Sequence, residues 1–188
     1  VDIPDSSRRP DVTTVEIVGG AEAPRIGLHS PDHRWVDIFT EHRARIRKAL
    51  AGQRIEIEHI GSTSVPGLAA KPIVDIVVVV DDITAEEDYL DPLIATGYDL
   101  RVREPGHRLV RTPTRDVHVH LYERGAPAID AYLLLRDRLR TDAGDRALYE
   151  STKRALLSKP WVDMNDYADA KTDVIVAIKE RARAERNE

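Results

Sequence analysis

The 188-residue chain contains no cysteine, which excludes disulfides, thiolate metal sites and cysteine nucleophiles together. Aromatic residues make up 5% of it, so the stacking platforms that hold single-stranded nucleic acids are scarce. No apolar run approaches the ~20 residues that cross a bilayer. The first residues also lack the basic-then-apolar order of a signal peptide, and a soluble, cytoplasmic protein with no membrane partner is the expectation. A positive excess is missing too: 28 Lys and Arg stand against 33 Asp and Glu, a net charge of -5, which disfavours nucleic acid as a partner. The basic runs His42–Lys48 and Lys179–Arg186 therefore read as solvated helix faces. The sequence has no internal repeat and no low-complexity segment.

What is present suffices for one core: 41% of the residues are hydrophobic. Val1–Val12, with Pro4, Ser6, Ser7, Arg8, Arg9 and Pro10, reads as an irregular arm, so the domain is taken as residues 13–188. Thr13–Val18 predicts a short edge strand stopped by Gly19–Gly20. From Pro31 the positions Trp35, Ile38, Phe39, Ile46, Ala49 and Leu50 recur at helical spacing, with Ser30 as N-cap, Gly52 as stop and His42 as a hydrogen-bonded core residue.

Strands are then expected over Arg54–Ile60 and Pro72–Val80, with the turn-rich Gly61–Lys71 between them. Thr84–Thr96 predicts a helix closed by Gly97. Tyr98–Arg103, Arg108–Thr112 and Asp116–Glu123 predict three strands whose Pro- and Gly-bearing turns favour antiparallel pairing. From about Ala126 the chain reads as three helices, interrupted near Asp142–Gly144 and Ser158–Asp163.

Chemistry concentrates in Glu58–Asp75. A strand ending in Gly61-Ser62 and turning into a short helix can surround an anion, typically a phosphate, with backbone N–H groups and a hydroxyl. Ser62, Thr63 and Ser64 are the candidate ligands there; a Ser/Thr-capped turn has the same pattern. Lys71 does not fit a Walker loop, because the glycine spacing is wrong. Asp75 is the one charge in the apolar run Pro72–Val80, a position expected to need a metal or an ion-pair partner such as Lys71 or a helix arginine.

The strand Asp116–Tyr122 alternates cleanly, with Val117, Val119 and Leu121 on one side and Asp116, His118, His120 and Tyr122 on the other. The two imidazoles lie ~7 Å apart by strand rise, a spacing that suits a metal, a phosphate, acid–base chemistry or a solvated polar face. In the last helix Met164, Tyr167, Ala168, Val174, Ile175 and Ile178 form an apolar stripe broken by Lys171, which must either snorkel or enter a polar pocket. Tyr167 precedes it by one turn. Arg136 and Lys153 break the preceding stripes less sharply.

The run His59-Ile60-Gly61-Ser62-Thr63-Ser64-Val65-Pro66-Gly67-Leu68-Ala69-Ala70-Lys71-Pro72-Ile73-Val74-Asp75-Ile76 closely resembles the signature of the GrpB (UPF0157) family. Pro105-Gly106-His107, His118-Val119-His120, Leu135–Arg140, Tyr149 with Lys153 and Tyr167 with Lys171 follow in the family's order, so the resemblance runs from about His29 to Ala177. It implies an α+β fold of the polymerase-β nucleotidyltransferase type: a mixed, largely antiparallel sheet packed with helices, followed by a C-terminal helical segment.

By that resemblance Gly61 and Ser62 hold a nucleoside triphosphate and Asp75 is the first carboxylate for magnesium, in a two-metal mechanism. Val77 stands where a second carboxylate is expected, and the His118/His120 strand occupies the place of the third. One magnesium, a softer divalent metal on Asp75, His118 and His120, or a metal-free anion pocket are the options left open. The resemblance also implies three functional classes. One is a nucleotidyltransferase-like enzyme acting on a nucleotide or another phosphorylated small molecule, with Asp75, His118, His120 and Lys171 as catalytic candidates. Its ligand-binding residues would be Gly61, Ser62, Thr63, Ser64, Lys71, Arg136, Lys153 and Tyr167. The others are a non-catalytic accessory domain, which would suit the family's fusions to dephospho-coenzyme A kinases, and a pocket recruited for other transferase or ligase chemistry.

Overall fold

The computed structural model describes residues 9–20, 22, 27–157 and 170–186. Six strands form one mixed sheet: β1 (Glu16–Ile17), β2 (Glu56–Ile60), β3 (Val74–Val80), β4 (Asp99–Glu104), β5 (His107–Arg111) and β6 (Val117–Glu123). Their order is β1-β4-β5-β6-β3-β2, with β3 and β6 parallel and every other neighbouring pair antiparallel. Five helices are described, α1 (Arg34–Ala49), α2 (Glu86–Ala95), α3 (Pro127–Thr141), α4 (Ala143–Leu157) and α5 (Thr172–Arg186). The α+β class with a C-terminal helical part is as the sequence implies.

Strand alternation decides what each face carries. Ile76 and Val78 of β3 and Val117, Val119 and Leu121 of β6 point to the main core, where Trp35 and Ile46 of α1 and Tyr89, Leu90 and Leu93 of α2 cover them. His42 lies in this layer with its Nδ1 2.6 Å from the Tyr98 hydroxyl, the hydrogen-bonded core histidine expected. On the opposite face Asp75, Val77 and Val79 are in register with His118, His120 and Tyr122. α3 covers only part of that face, through Ile129 against Ile60, Val77 and Val79. The uncovered part is where the polar residues gather.

A third cluster pins the turn after β2. Val65 and Leu68 pack with Leu139 of α3, Tyr149 of α4 and Ile178 of α5. Arg140 Nε donates to the Ser64 carbonyl at 2.9 Å, and Glu150 accepts the Ala69 N–H at 3.1 Å. The helical segment thus clamps the Gly-Ser turn against the sheet edge.

Several boundaries shift for identifiable reasons. The strand expected over Thr13–Val18 shrinks to Glu16–Ile17, because only Glu16 and Ile17 find partners, Arg103 and Val102. Ser30 does not cap α1; Asp32 accepts the Arg34 N–H at 2.9 Å instead. The α3–α4 break narrows to Asp142, whose Oδ1 accepts the Asp145 N–H at 2.7 Å and so opens α4. Lys171 is not inside a helical stripe but in the turn before α5, its carbonyl accepting the Ile175 N–H at 3.1 Å. The expected break at Ser158–Asp163, and Met164, Tyr167 and Ala168, lie outside the described residues.

Candidate functional site

β2 ends at Ile60 opposite Asp75, and the chain then passes through Gly61 into a 3-10 turn, Ser62–Ser64. Gly61 has φ 71° and ψ -175°, a backbone region open essentially to glycine alone. A Cβ there would lie 2.6 Å from Asp75 Oδ2, so conformation and space require glycine independently. The consequence is a carboxylate held directly beside the mouth of the turn.

The hydroxyls of the turn divide by role. Thr63 Oγ1 donates to the Ile73 carbonyl at 3.0 Å and meets His59 Nε2 at 3.1 Å, while Ser64 Oγ donates to the Gly61 carbonyl at 2.6 Å. Both side chains are buried and build the turn. Ser62 faces a cavity of about 280 Å³ together with Leu28, Gly61, Lys71, Ile73, Asp75, His118, Tyr149, Lys153 and Lys171. Sequence reasoning grouped the three hydroxyls; the structure brings only that of Ser62 to the cavity.

Lys153 is the anchor of this wall. It reaches from α4, 3% exposed, and its Nζ donates to Ser62 Oγ at 3.1 Å and to the Ala69 carbonyl at 2.6 Å. The Tyr149 ring lies under it, 4.8 Å from Nζ to the centroid, at cation–π range. Tyr149 was not singled out as a site residue, although its i,i+4 spacing to Lys153 was the signal. Burial, and after it the charge of Lys171, pushes the Lys153 ammonium down to about 8. Burial also lowers Lys171, with Asp75 opposing and Lys71 adding to the shift.

Asp75 corrects one expectation. Its side chain is 29% exposed because the pocket opens over it, so its place in an apolar strand does not bury it. Two imidazoles lie beside it, with His118 Nδ1 3.7 Å and His120 Nε2 3.5 Å from Asp75 Oδ1, and its charge also acts on Lys171. Burial, against the pull of Asp75, pushes the His118 ring down to about 4, so it is neutral at neutral pH. His120 turns its other nitrogen to His107 Nε2 at 3.1 Å, and His107 Nδ1 meets Glu104 at 2.6 Å. His107 and Glu104 were not read as site residues, since only the register His107↔Tyr122 carries them beside β6.

Arg136 is placed elsewhere. It binds Glu58 and Asp137 at 2.7 Å each and the His59 carbonyl at 3.2 Å, tying α3 to β2.

The fold type resembled implies magnesium, and the donors present do not fit a magnesium pair. Among the described residues, no group of three or more His, Cys, Asp or Glu side chains could hold a metal ion. Val77, where a second carboxylate is expected, is fully buried in the cluster with Ile60, Val79 and Ile129. Glu58, across from Val77 in the register, is occupied by Arg136.

Comparison with known proteins agrees with the sequence signature. A UPF0157 protein of Streptomyces coelicolor is 71% identical over 179 residues, covering 95% of this chain and 96% of that one. One of Halalkalibacterium halodurans is 40% identical over 189 residues, covering 97% of each. In three dimensions the chain is similar to the conserved protein GrpB from Enterococcus faecalis, with a TM-score of 0.74 at 29% identity over 86% of this chain and 99% of that one. The profile of the family described as GrpB protein matches residues 25–181, and the chain belongs to the GrpB family.

Proposed function

We propose that this GrpB protein is a nucleotidyltransferase-like protein acting on a nucleotide or another phosphorylated small molecule, bound with its phosphate end against Ser62, Lys153 and Lys171. The observation that carries this reading is the Lys153–Ser62 contact at 3.1 Å, in a cavity whose described lining has three lysines and one carboxylate. A buried ammonium with neutral hydrogen-bond partners is stabilised by an arriving anion. Asp75 beside the Gly-Ser turn is the arrangement the family resemblance implies. The adjoining cavity of about 430 Å³ shares Lys71 and Ile73 with this one, which gives room for the rest of a nucleotide-sized ligand.

Calorimetric titration with nucleoside triphosphates tests the reading. Binding is expected to weaken at least tenfold in Lys153→Met and in Ser62→Ala; binding to no nucleotide, or binding indifferent to both changes, contradicts it.

A second reading, a binding domain without turnover, is favoured by the burial of Val77 at 0% exposure where a second carboxylate is expected. Release of labelled pyrophosphate from triphosphates by the unmodified protein would exclude it.

A further inference from the structure

Three lysines line this one cavity, Lys71, Lys153 and Lys171, and like charges at such range disfavour one another. Lys171 is among the groups that lower Lys153, and Lys71 is among those that lower Lys171. Lys71 also acts in the same sense on His118. Against these cations the described lining offers the Asp75 carboxylate. Among the described lining residues a divalent cation entering here would meet three ammonium groups and one carboxylate, whereas magnesium seeks near-octahedral oxygen coordination. An anion with two or more negative charges relieves the repulsion on entering.

We propose that the pocket takes its phosphorylated ligand as the metal-free anion, with the ammonium groups of Lys71, Lys153 and Lys171 supplying the neutralisation that two magnesium ions supply in a two-metal site. The inference rests on the reading of this cavity as a phosphate site. Three features carry it: the burial of Val77 within an apolar cluster, the engagement of Glu58 by Arg136, and the lining of one cavity by all three lysines together with Ser62 and Asp75. The ligand class that follows is a pyrophosphate-bearing or doubly ionised phosphate compound. Magnesium then acts as a competitor, because it binds the same phosphate oxygens and lowers the charge of the anion.

Calorimetry of the full chain with inorganic pyrophosphate, in EDTA and in excess magnesium chloride, separates the outcomes. Binding in EDTA that weakens at least tenfold in magnesium is expected, with a further severalfold loss in EDTA for Lys71→Ala, a half-buried position whose truncation leaves the fold's core untouched. Binding seen only in magnesium, or tightened by it, would overturn this inference while leaving the phosphate site standing. Binding in neither buffer would overturn both. An unchanged affinity in Lys71→Ala would overturn the role of the lysine cluster.

Discussion

Among the described residues, two cations, Arg108 and Lys153, are buried almost completely, and they are treated in opposite ways. Arg108 of β5, 2% exposed, binds Asp11 and Glu86 at 2.6 Å each. Its burial opposes the charge, and the hydrogen bonds it donates to the two carboxylates outweigh that opposition, so its pKa rises. Lys153, 3% exposed, donates to a hydroxyl and a carbonyl, and its pKa falls to about 8. The first cation is completed by the fold, joining the arm residue Asp11 to α2 and β5. The second has neutral hydrogen-bond partners, and the phosphate proposed above would complete it. A buried charge with a depressed pKa at the wall of a cavity is a candidate for ligand binding.

This contrast orders the expected effects of substitution. Arg108→Ala leaves Asp11 and Glu86 without their shared partner and is expected to lose about 3–5 kcal/mol of stability, measured by urea denaturation, with pyrophosphate affinity intact in the folded fraction. Lys153→Met should do the reverse, abolishing phosphate binding while unfolding no more easily at pH 7. The Lys153 proton is lost near pH 8 in the folded protein against 10.5 for the reference lysine. The unfolded chain therefore binds more protons between those values, and stability rises with pH across the window, by about 3 kcal/mol at most. Denaturation at pH 7, 8.5 and 10 should show this rise in the wild type and a flatter line in Lys153→Met. Equal slopes would remove the distinction between the two cations.

Smaller effects sharpen it. Gly61→Ala should lose roughly 1–3 kcal/mol from its backbone conformation alone and weaken ligand binding by displacing Asp75, which thermal melts with and without pyrophosphate would resolve. A third kind of cation, the half-buried Arg45 of α1, paired with Glu41 at 3.0 Å and lying over the Tyr98 ring at 5.9 Å, should matter least. Arg45→Ala is expected to lower stability by about 1 kcal/mol or less and to leave binding unchanged.

Local pattern carried the fold: the helical spacing of Trp35 and Ile46, the alternation through Val117–Tyr122 and the glycines at turns all sit in elements near where they were expected. The partial exposure of Asp75 was not legible because alternation tells which face a residue takes but not which face a helix will cover. Thr63 and Ser64 looked equivalent to Ser62, yet the geometry of a 3-10 turn directs their hydroxyls back onto the Ile73 and Gly61 carbonyls. Arg136 looked like a stripe-breaking ligand residue, and its partner Glu58 lies 78 positions away, a separation no local pattern carries. Lys153 was legible as an anomaly, but its hold on Ser62 depends on the packing of α4 against the turn through Tyr149 and Leu68.

The central claim, that Lys153 is a buried ammonium awaiting an anion, is tested most directly by following its own titration with carbon-13-labelled lysine and NMR. The prediction is a midpoint near pH 8 for the protein alone, moving up toward 10.5 when inorganic pyrophosphate is added. A midpoint already near 10.5 in the free protein, or one near 8 that pyrophosphate does not move, would contradict it.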